Sequence, residues 1–262
     1  MAKQESEKAS VYEAPPVMPP EDLRVFVIGG ARDDFAEVGR RFLGYYIEEC
    51  GLEPDEHVLE IGPGLGRQAL ALASYLSPEG SYDAFDVVPE AVEWCTENIT
   101  SRYPNFRFQV ADIYNEIRYN PKGKIEGKSF RFPYDDGVFD FVICHSVFTH
   151  MFPPDVENYI AEVARVLRKG GRFFATFFLL NDETIEKIES GESRLTFPDD
   201  YGTHRIDRTQ HGIPEGMVAH WEDFILSVYD RVGLMVRPIY RGRWPGRPVE
   251  FTRQDLVVAD RA

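Results

Sequence analysis

The chain has 262 residues, 43% of them apolar and 28% charged, a length that suits one α/β domain and a balance ordinary for a soluble globular protein that buries a full core. Its formal net charge of −15 would repel a polyphosphate surface at long range, so nucleic acid is not the expected partner. The three cysteines (Cys50, Cys95 and Cys144) are far apart and include no Cys-x-x-Cys pair. They fit neither a disulfide framework nor a zinc site and read as packed thiols, with no metal expected.

Residues 1–22 are polar and then proline-rich (Pro15, Pro16, Pro19, Pro20), which predicts a flexible N-terminal arm, with residues 23–262 as a single domain. The first twenty residues lack an apolar signal-type core, and no segment is apolar for long enough to span a bilayer. The expectation is a cytoplasmic protein without a membrane partner. A short apolar run, 23–28, ends in Gly29-Gly30. Asp33-Asp34 should then cap a helix running to Cys50, with Phe35, Val38, Phe42, Tyr45 and Tyr46 on one side and Gly51 as its stop. Such a helix either covers a ligand crevice or packs on the sheet.

Residues 58–67 read Val-Leu-Glu-Ile-Gly-Pro-Gly-Leu-Gly-Arg. A short apolar strand turns through Gly62, Gly64 and Gly66 and enters the helix-forming run 68–73. Glycine takes the backbone angles this turn needs and lets a ligand lie against the main chain. The next helix points unpaired amides and a positive dipole end at the loop. A second strand, 81–85, closes on Asp86 and is followed by Val87; Pro89 then opens a helix with the stripe Ala91, Val92, Cys95 and Ile99. The third strand, 106–110, ends at Ala111-Asp112-Ile113, and a polar insertion occupies 114–134.

The almost wholly apolar run 138–144 reads as the fourth strand, buried in the middle of a parallel sheet. Pro153-Pro154 opens a helix with the stripe Val156, Tyr159, Ile160, Val163 and Leu167, stopped by Gly170-Gly171. Residues 172–180 form the fifth strand, 181–216 a polar insertion without periodicity, and 217–232 a further amphipathic helix. Two closing strands, 234–240 and 255–260, have only 241–254 between them, too short for a helical crossover, so they should be antiparallel. Strand–helix alternation of this kind specifies a doubly wound, mostly parallel seven-stranded sheet, with ligands at the carboxyl ends of the strands. The ends at Gly62, Asp86 and Asp112 should lie side by side.

An acid twenty positions after Gly66 is placed to accept both ribose hydroxyls of an adenosine, and Asp112-Ile113 to take its amino group and ring. With these residues the chain resembles the class I S-adenosylmethionine-dependent methyltransferases, over roughly residues 52–260. Residues 58–66 resemble their first motif, with Glu60 as its acid and Gly62, Gly64 and Gly66 as its glycines. Asp86, with Val87 beside it, matches the ribose-binding acid, and Asp112-Ile113 the adenine-binding pair. Phe139-Asp140-Phe141-Val142 resembles the fourth-strand motif, and residues 165–172 the turn into the fifth strand. The resemblance implies S-adenosyl-L-methionine as cofactor. Residues 145–151 look like the subgroup acting on small metabolites, sugars and natural products, which implies a small-molecule acceptor carrying a hydroxyl. The Asn-Pro-Pro-Tyr-type motif for nucleobase amines is absent.

A hydroxyl acceptor calls for a base, and histidine is the usual one. His150 is the first choice. His145, at the end of the fourth strand and closest to where the methyl should lie, is either a base or a residue holding the methionine end of the cofactor. His57 reads as structural, and His204, His211 and His220 as substrate-side residues. Trp244 either walls the acceptor pocket or fastens the closing hairpin, and Arg237, Arg241, Arg243, Arg247 and Arg253 are either a basic patch or solvated. Two other readings compete: an NAD-dependent oxidoreductase, whose third glycine would stand at Arg67, and a non-catalytic cofactor-binding scaffold. Oligomeric state has no signal in the sequence.

Overall fold

The computed structural model describes residues 17–28, 34–115, 120–208, 216–249 and 251–262. The start of the N-terminal arm, Gly29-Gly30, Asp33 and His211 lie outside the described residues. Strand and helix alternate as the apolar pattern requires. The main sheet has seven strands, and one of them, the last in sequence, runs against its neighbours. The chain is built as two compact units, Met1–Ala111 and Asp112–Ala262.

In the first unit, α1 (Glu21–Ile28) and α2 (Phe35–Glu48) precede β1 (His57–Ile61), α3 (Arg67–Leu72), β2 (Ser81–Asp86), α4 (Pro89–Cys95) and β3 (Phe106–Val110). The short apolar run after the arm is thus part of a helix that already starts at Glu21. The three strands are parallel and adjacent in the order β1-β2-β3, with Val58 opposite Tyr82 and Tyr82 opposite Phe106. Asp34 precedes α2 but gives it no side-chain cap. Helix α2 packs on α3: at Gly39 a Cβ would stand 2.5 Å from the Arg67 carbonyl oxygen, an approach that only glycine allows. Its buried stripe, Phe35, Val38, Phe42, Tyr45 and Tyr46, is the one the 3.6-residue period selects.

In the second unit, β4 (Phe139–Cys144) is buried along its whole length, and α5 (Pro153–Val166) leads into β5 (Leu167–Phe177). The helix stops before Gly170 because the backbone at Leu167 is already extended (φ −65°, ψ 140°), and Leu167 pairs with Phe139. Strand β5 therefore begins five residues earlier than the apolar run suggests. β11 (Asp255–Arg261) lies antiparallel between β5 and β10 (Leu234–Val236), as the short connection demanded.

The insertion is more ordered than its sequence implies. β6 (Leu179–Leu180), α6 (Asp182–Glu189), β7 (Asp199–Asp200), β8 (His204–Ile206) and β9 (Val218–Trp221) build a second sheet, ordered β6-β9-β8-β7, with α6 beside it. Asn181 and Thr184 form a reciprocal capping box at the start of α6. Residues 217–221, expected as the start of a helix, are strand β9, and only α7 (Glu222–Arg231) is helical. Strands of two to four residues are too short to show a period, and their apolar side chains pair only in space. Leu195, Phe197, Met217 and Ala219 bury against Phe178, Leu180 and Trp244.

Asp255 ties this small core to the sheet. It is fully buried and accepts from the amides of Leu179 (3.0 Å) and Gly242 (2.9 Å), from Trp244 Nε1 (2.6 Å) and from Arg247 (3.0 Å). Trp244 therefore fastens the segment before β11, the second of its two readings. Four of the five C-terminal arginines are held by the chain's own groups. Arg237 pairs with Asp260, Arg241 with Glu222, and Arg247 with Glu183 and Asp255, while Arg253 lies over Phe178. Replacing Asp255 by Ala strands four buried donors, one of them charged. Urea unfolding should show a loss of about 3 kcal/mol or more. A loss below about 1 kcal/mol would show that this carboxylate does not hold the insertion.

Candidate functional site

The first unit sets the ends of its three strands side by side. The Gly62 amide donates to Phe85 O (3.0 Å), and the Ala111 amide to Asp86 O (2.8 Å). Gly62, Gly64 and Gly66 all have positive φ (68°, 53° and 70°), which is how the chain reverses between β1 and α3. At Gly66 a Cβ would also stand 2.6 Å from Ile99 Cδ1, so glycine there serves the turn and the packing of the next helix together.

The carboxylate of Asp86 closes this turn. One oxygen accepts the Gly64 amide at 2.8 Å and the other the Val88 amide at 3.0 Å. Burial pushes the carboxyl above its ordinary value, and the amides of Val88, Gly64 and Val87 oppose that shift. The carboxylate has about four lone-pair positions, more than these amides fill, so it can accept a ligand hydroxyl. The residues present thus fit the ribose of a bound nucleoside. Val87, beside Asp86, is half-buried.

Glu60 is buried and takes the hydroxyl of Tyr82, which lies diagonally across from it on the same face of the β1–β2 pair. Burial raises its pKa from 4.5 to about 7, against the opposing effects of Tyr82 and Arg67 and with a smaller upward push from Asp86. Its described hydrogen-bond partner is a side chain of the sheet. The pairing with Tyr82 had no motif to announce it; strand register supplies it.

Asp112 and Ile113 directly follow β3. Ile113 is buried, while Asp112 is half-exposed and lies 3.6 Å from Lys124 Nζ. The Asp112 carbonyl accepts the amides of Lys124 and Ile125 (both 3.1 Å), which pins the start of the 114–134 insertion.

The histidines of the second unit divide by environment. His145 is half-buried at the end of β4, edge-on to Phe174. His150 is half-buried and ends the single helical turn Phe148–His150. His204 stacks on Tyr201 (5.1 Å between ring centroids) and leans on Phe152 (5.3 Å), and its burial lowers its pKa. His220 is fully buried in β9, its Nε2 3.1 Å from Phe148 O, and burial lowers its pKa to about 4. It is a neutral interior residue, not one facing a substrate. In the first unit His57 is exposed and bonded through Nδ1 to Ser81 Oγ (2.7 Å), as a structural role requires.

Sequence reading also passed over the backbone just after β4. Ser146 has φ 61°, unusual for a residue with a side chain. Its amide donates to Thr176 Oγ1 (2.8 Å), and its hydroxyl donates to Gln254 Oε1 (2.9 Å). Gln254 stands 108 positions away, and no local pattern could have joined the two.

Residues 59–175 match the family model described as "Methyltransferase domain". The chain is 28% identical to an uncharacterized methyltransferase of Bacillus subtilis, covering 60% of this chain and 54% of that protein. It is 30% identical to the sarcosine/dimethylglycine N-methyltransferase of Halorhodospira halochloris, covering 64% of this chain and 54% of that one. The chain thus spans about half the length of these curated relatives. The fold is shared with the PH0226 protein of Pyrococcus horikoshii at TM-score 0.62, 14% identity, and coverage of 91% of this chain and 96% of that one. Over residues 59–175 the chain thus resembles a methyltransferase domain, on a fold shared with the solved structure.

The titration of Glu60 has a sign. A carboxyl whose folded pKa is raised stabilises the fold fully below about pH 4.5, and that contribution is lost as the pH rises through about 7. The unliganded protein should lose melting temperature between pH 5 and pH 7.5, and Glu60→Gln should flatten that slope. At about 1.4 kcal/mol per pKa unit, Glu60's share is at most about 3 kcal/mol. Asp86, also raised, adds a drop of the same sign. Equal slopes in the variant and the parent would place the titrating group elsewhere.

Proposed function

We propose that the protein transfers a methyl group from S-adenosylmethionine to a small molecule, most simply to a hydroxyl oxygen. When bound, the cofactor supplies a methyl group on a positively charged sulfur. The observation that carries the reading is the Asp86 carboxylate, fixed by the amides of Gly64 and Val88 with lone pairs to spare. In this reading Asp86 accepts the ribose hydroxyls, and Gly62, Gly64 and Gly66 let the ligand lie on the main chain. Val87 and Ile113 pack on the adenine, Asp112 takes its amino group, Glu60 binds the cofactor as the acid of the first motif, and His145 holds the methionine end. Orientation and exclusion of water do most of the work, because charge disappears as the methyl moves.

His150 serves as the base that takes the proton of the acceptor hydroxyl. A small acceptor also agrees with the charge of −15. A second reading, transfer to an amine, is favoured by the likeness to the sarcosine/dimethylglycine enzyme.

Two measurements test this. Calorimetry with S-adenosylhomocysteine should show Asp86→Ala weakening binding at least tenfold, since it removes paired, buried hydrogen bonds. Unchanged affinity in a folded variant would remove the ribose assignment, and tight binding of NAD alone would favour the oxidoreductase. A metabolite screen for formation of S-adenosylhomocysteine should then find an acceptor with a hydroxyl. With that acceptor, His150→Ala should lower kcat by roughly a hundredfold or more while cofactor binding is kept. Turnover only with amines would select the second reading. No turnover with any acceptor would select the scaffold.

A further inference from the structure

The turn that carries His150 is fastened from outside its own sequence. Its entrance is strained: Ser146 sits in the left-handed region at φ 61°. A residue with a Cβ keeps such a backbone only when the surroundings over-determine it, and strain of this kind gathers at working sites. Thr176 from β5 holds the Ser146 amide, and Gln254 holds its hydroxyl. The middle of the turn is held once more, from the inserted sheet, where His220 Nε2 lies 3.1 Å from Phe148 O.

A carbonyl oxygen can only accept, so Nε2 must carry the proton of a neutral imidazole. Burial keeps that ring neutral: it is fully enclosed and faces Phe177 edge-on and Phe224 in a stacked arrangement. The backbone of His220 is fixed as well, its amide donating to Phe178 O (2.9 Å) and its Cα paired with those of Leu179 and His204. A rigid strand of the insertion thus presents one hydrogen-bond donor to the segment that follows β4.

We propose that His220 is a positioning residue for the methyl-transfer reaction, setting the place of the Phe148–His150 turn, and of His150 on it, by donating Nε2–H to the Phe148 carbonyl. The inference rests on the reading of His150 as the base. Its consequence is that the insertion has a direct line to the end of β4. Changes in β9 would then alter turnover without touching the cofactor cradle.

Two polar replacements of different reach test it in the full-length chain. His220→Gln places an amide nitrogen near the position of Nε2, whereas the amide of His220→Asn falls short. By hydrogen exchange, the peptide covering residues 147–151 should exchange at least about tenfold faster in H220N and within about threefold of the parent in H220Q, S-adenosylhomocysteine affinity being unchanged in both. The His150 ring proton signal, followed by NMR, should shift its titration midpoint in H220N and keep it in H220Q. With an acceptor in hand, H220N should lower kcat more than it raises KM, and H220Q should restore it. Parent-like exchange in a folded H220N would overturn the proposal. So would equal loosening in both variants, since a donor of the right reach would then not suffice. Failure of the base reading is seen separately, as full turnover by His150→Ala.

Discussion

Everything proposed for this protein hangs on one carboxylate. Asp86 ends β2 and takes an amide from the glycine turn after β1 and another from the start of the segment leading to α4. A chain reversing at Gly62 leaves amides without helical or ladder partners, and a buried amide cannot be left alone cheaply. Asp86 satisfies one of them and locks the turn to the neighbouring strand. Its own burial is tolerated because fixed dipoles surround it. In the proposed reading the same carboxylate also meets the ligand, so one residue would both stabilise the turn and bind.

Behind the turn, Glu60 adds a second buried acid in the same unit. Two carboxyls pushed upward in pKa, with Tyr46 and Tyr82 close by, make this the electrostatically costly part of the first unit. Groups of this kind persist where function needs them more than stability does. The second unit spends its polar groups differently. Asp255 and Arg247 join the loop before β11 to α6 and the small insertion core, and the strained Ser146 with its partners shapes the backbone after β4.

Much of this architecture is legible in the chain itself, and the reason is period. Apolar residues at helical spacing give α2, α4 and α5, short apolar runs leading to glycine or aspartate give β1 to β3, and an almost wholly apolar run gives β4. The short 241–254 connection dictates the reversed β11. The errors fall where period is lost. Leu167 leaves the helix early because pairing with Phe139 outweighs its place on the helical stripe. Val218–Trp221 becomes a strand because its partners are Leu179, Leu180 and the β8 residues, all supplied by other parts of the chain.

The site divides along the same line. The sequence alone determined the glycine turn, the acid at the end of β2 and the acid–isoleucine pair after β3, because each is a local requirement of backbone angle or strand end. Only the tertiary structure decided that Glu60 meets Tyr82, that Trp244 and Arg247 converge on Asp255, and that His220 reaches the Phe148 carbonyl. Those contacts join residues 8 to 72 positions apart, and a hydrogen bond is specified by atoms meeting in space, for which linear spacing carries no signal.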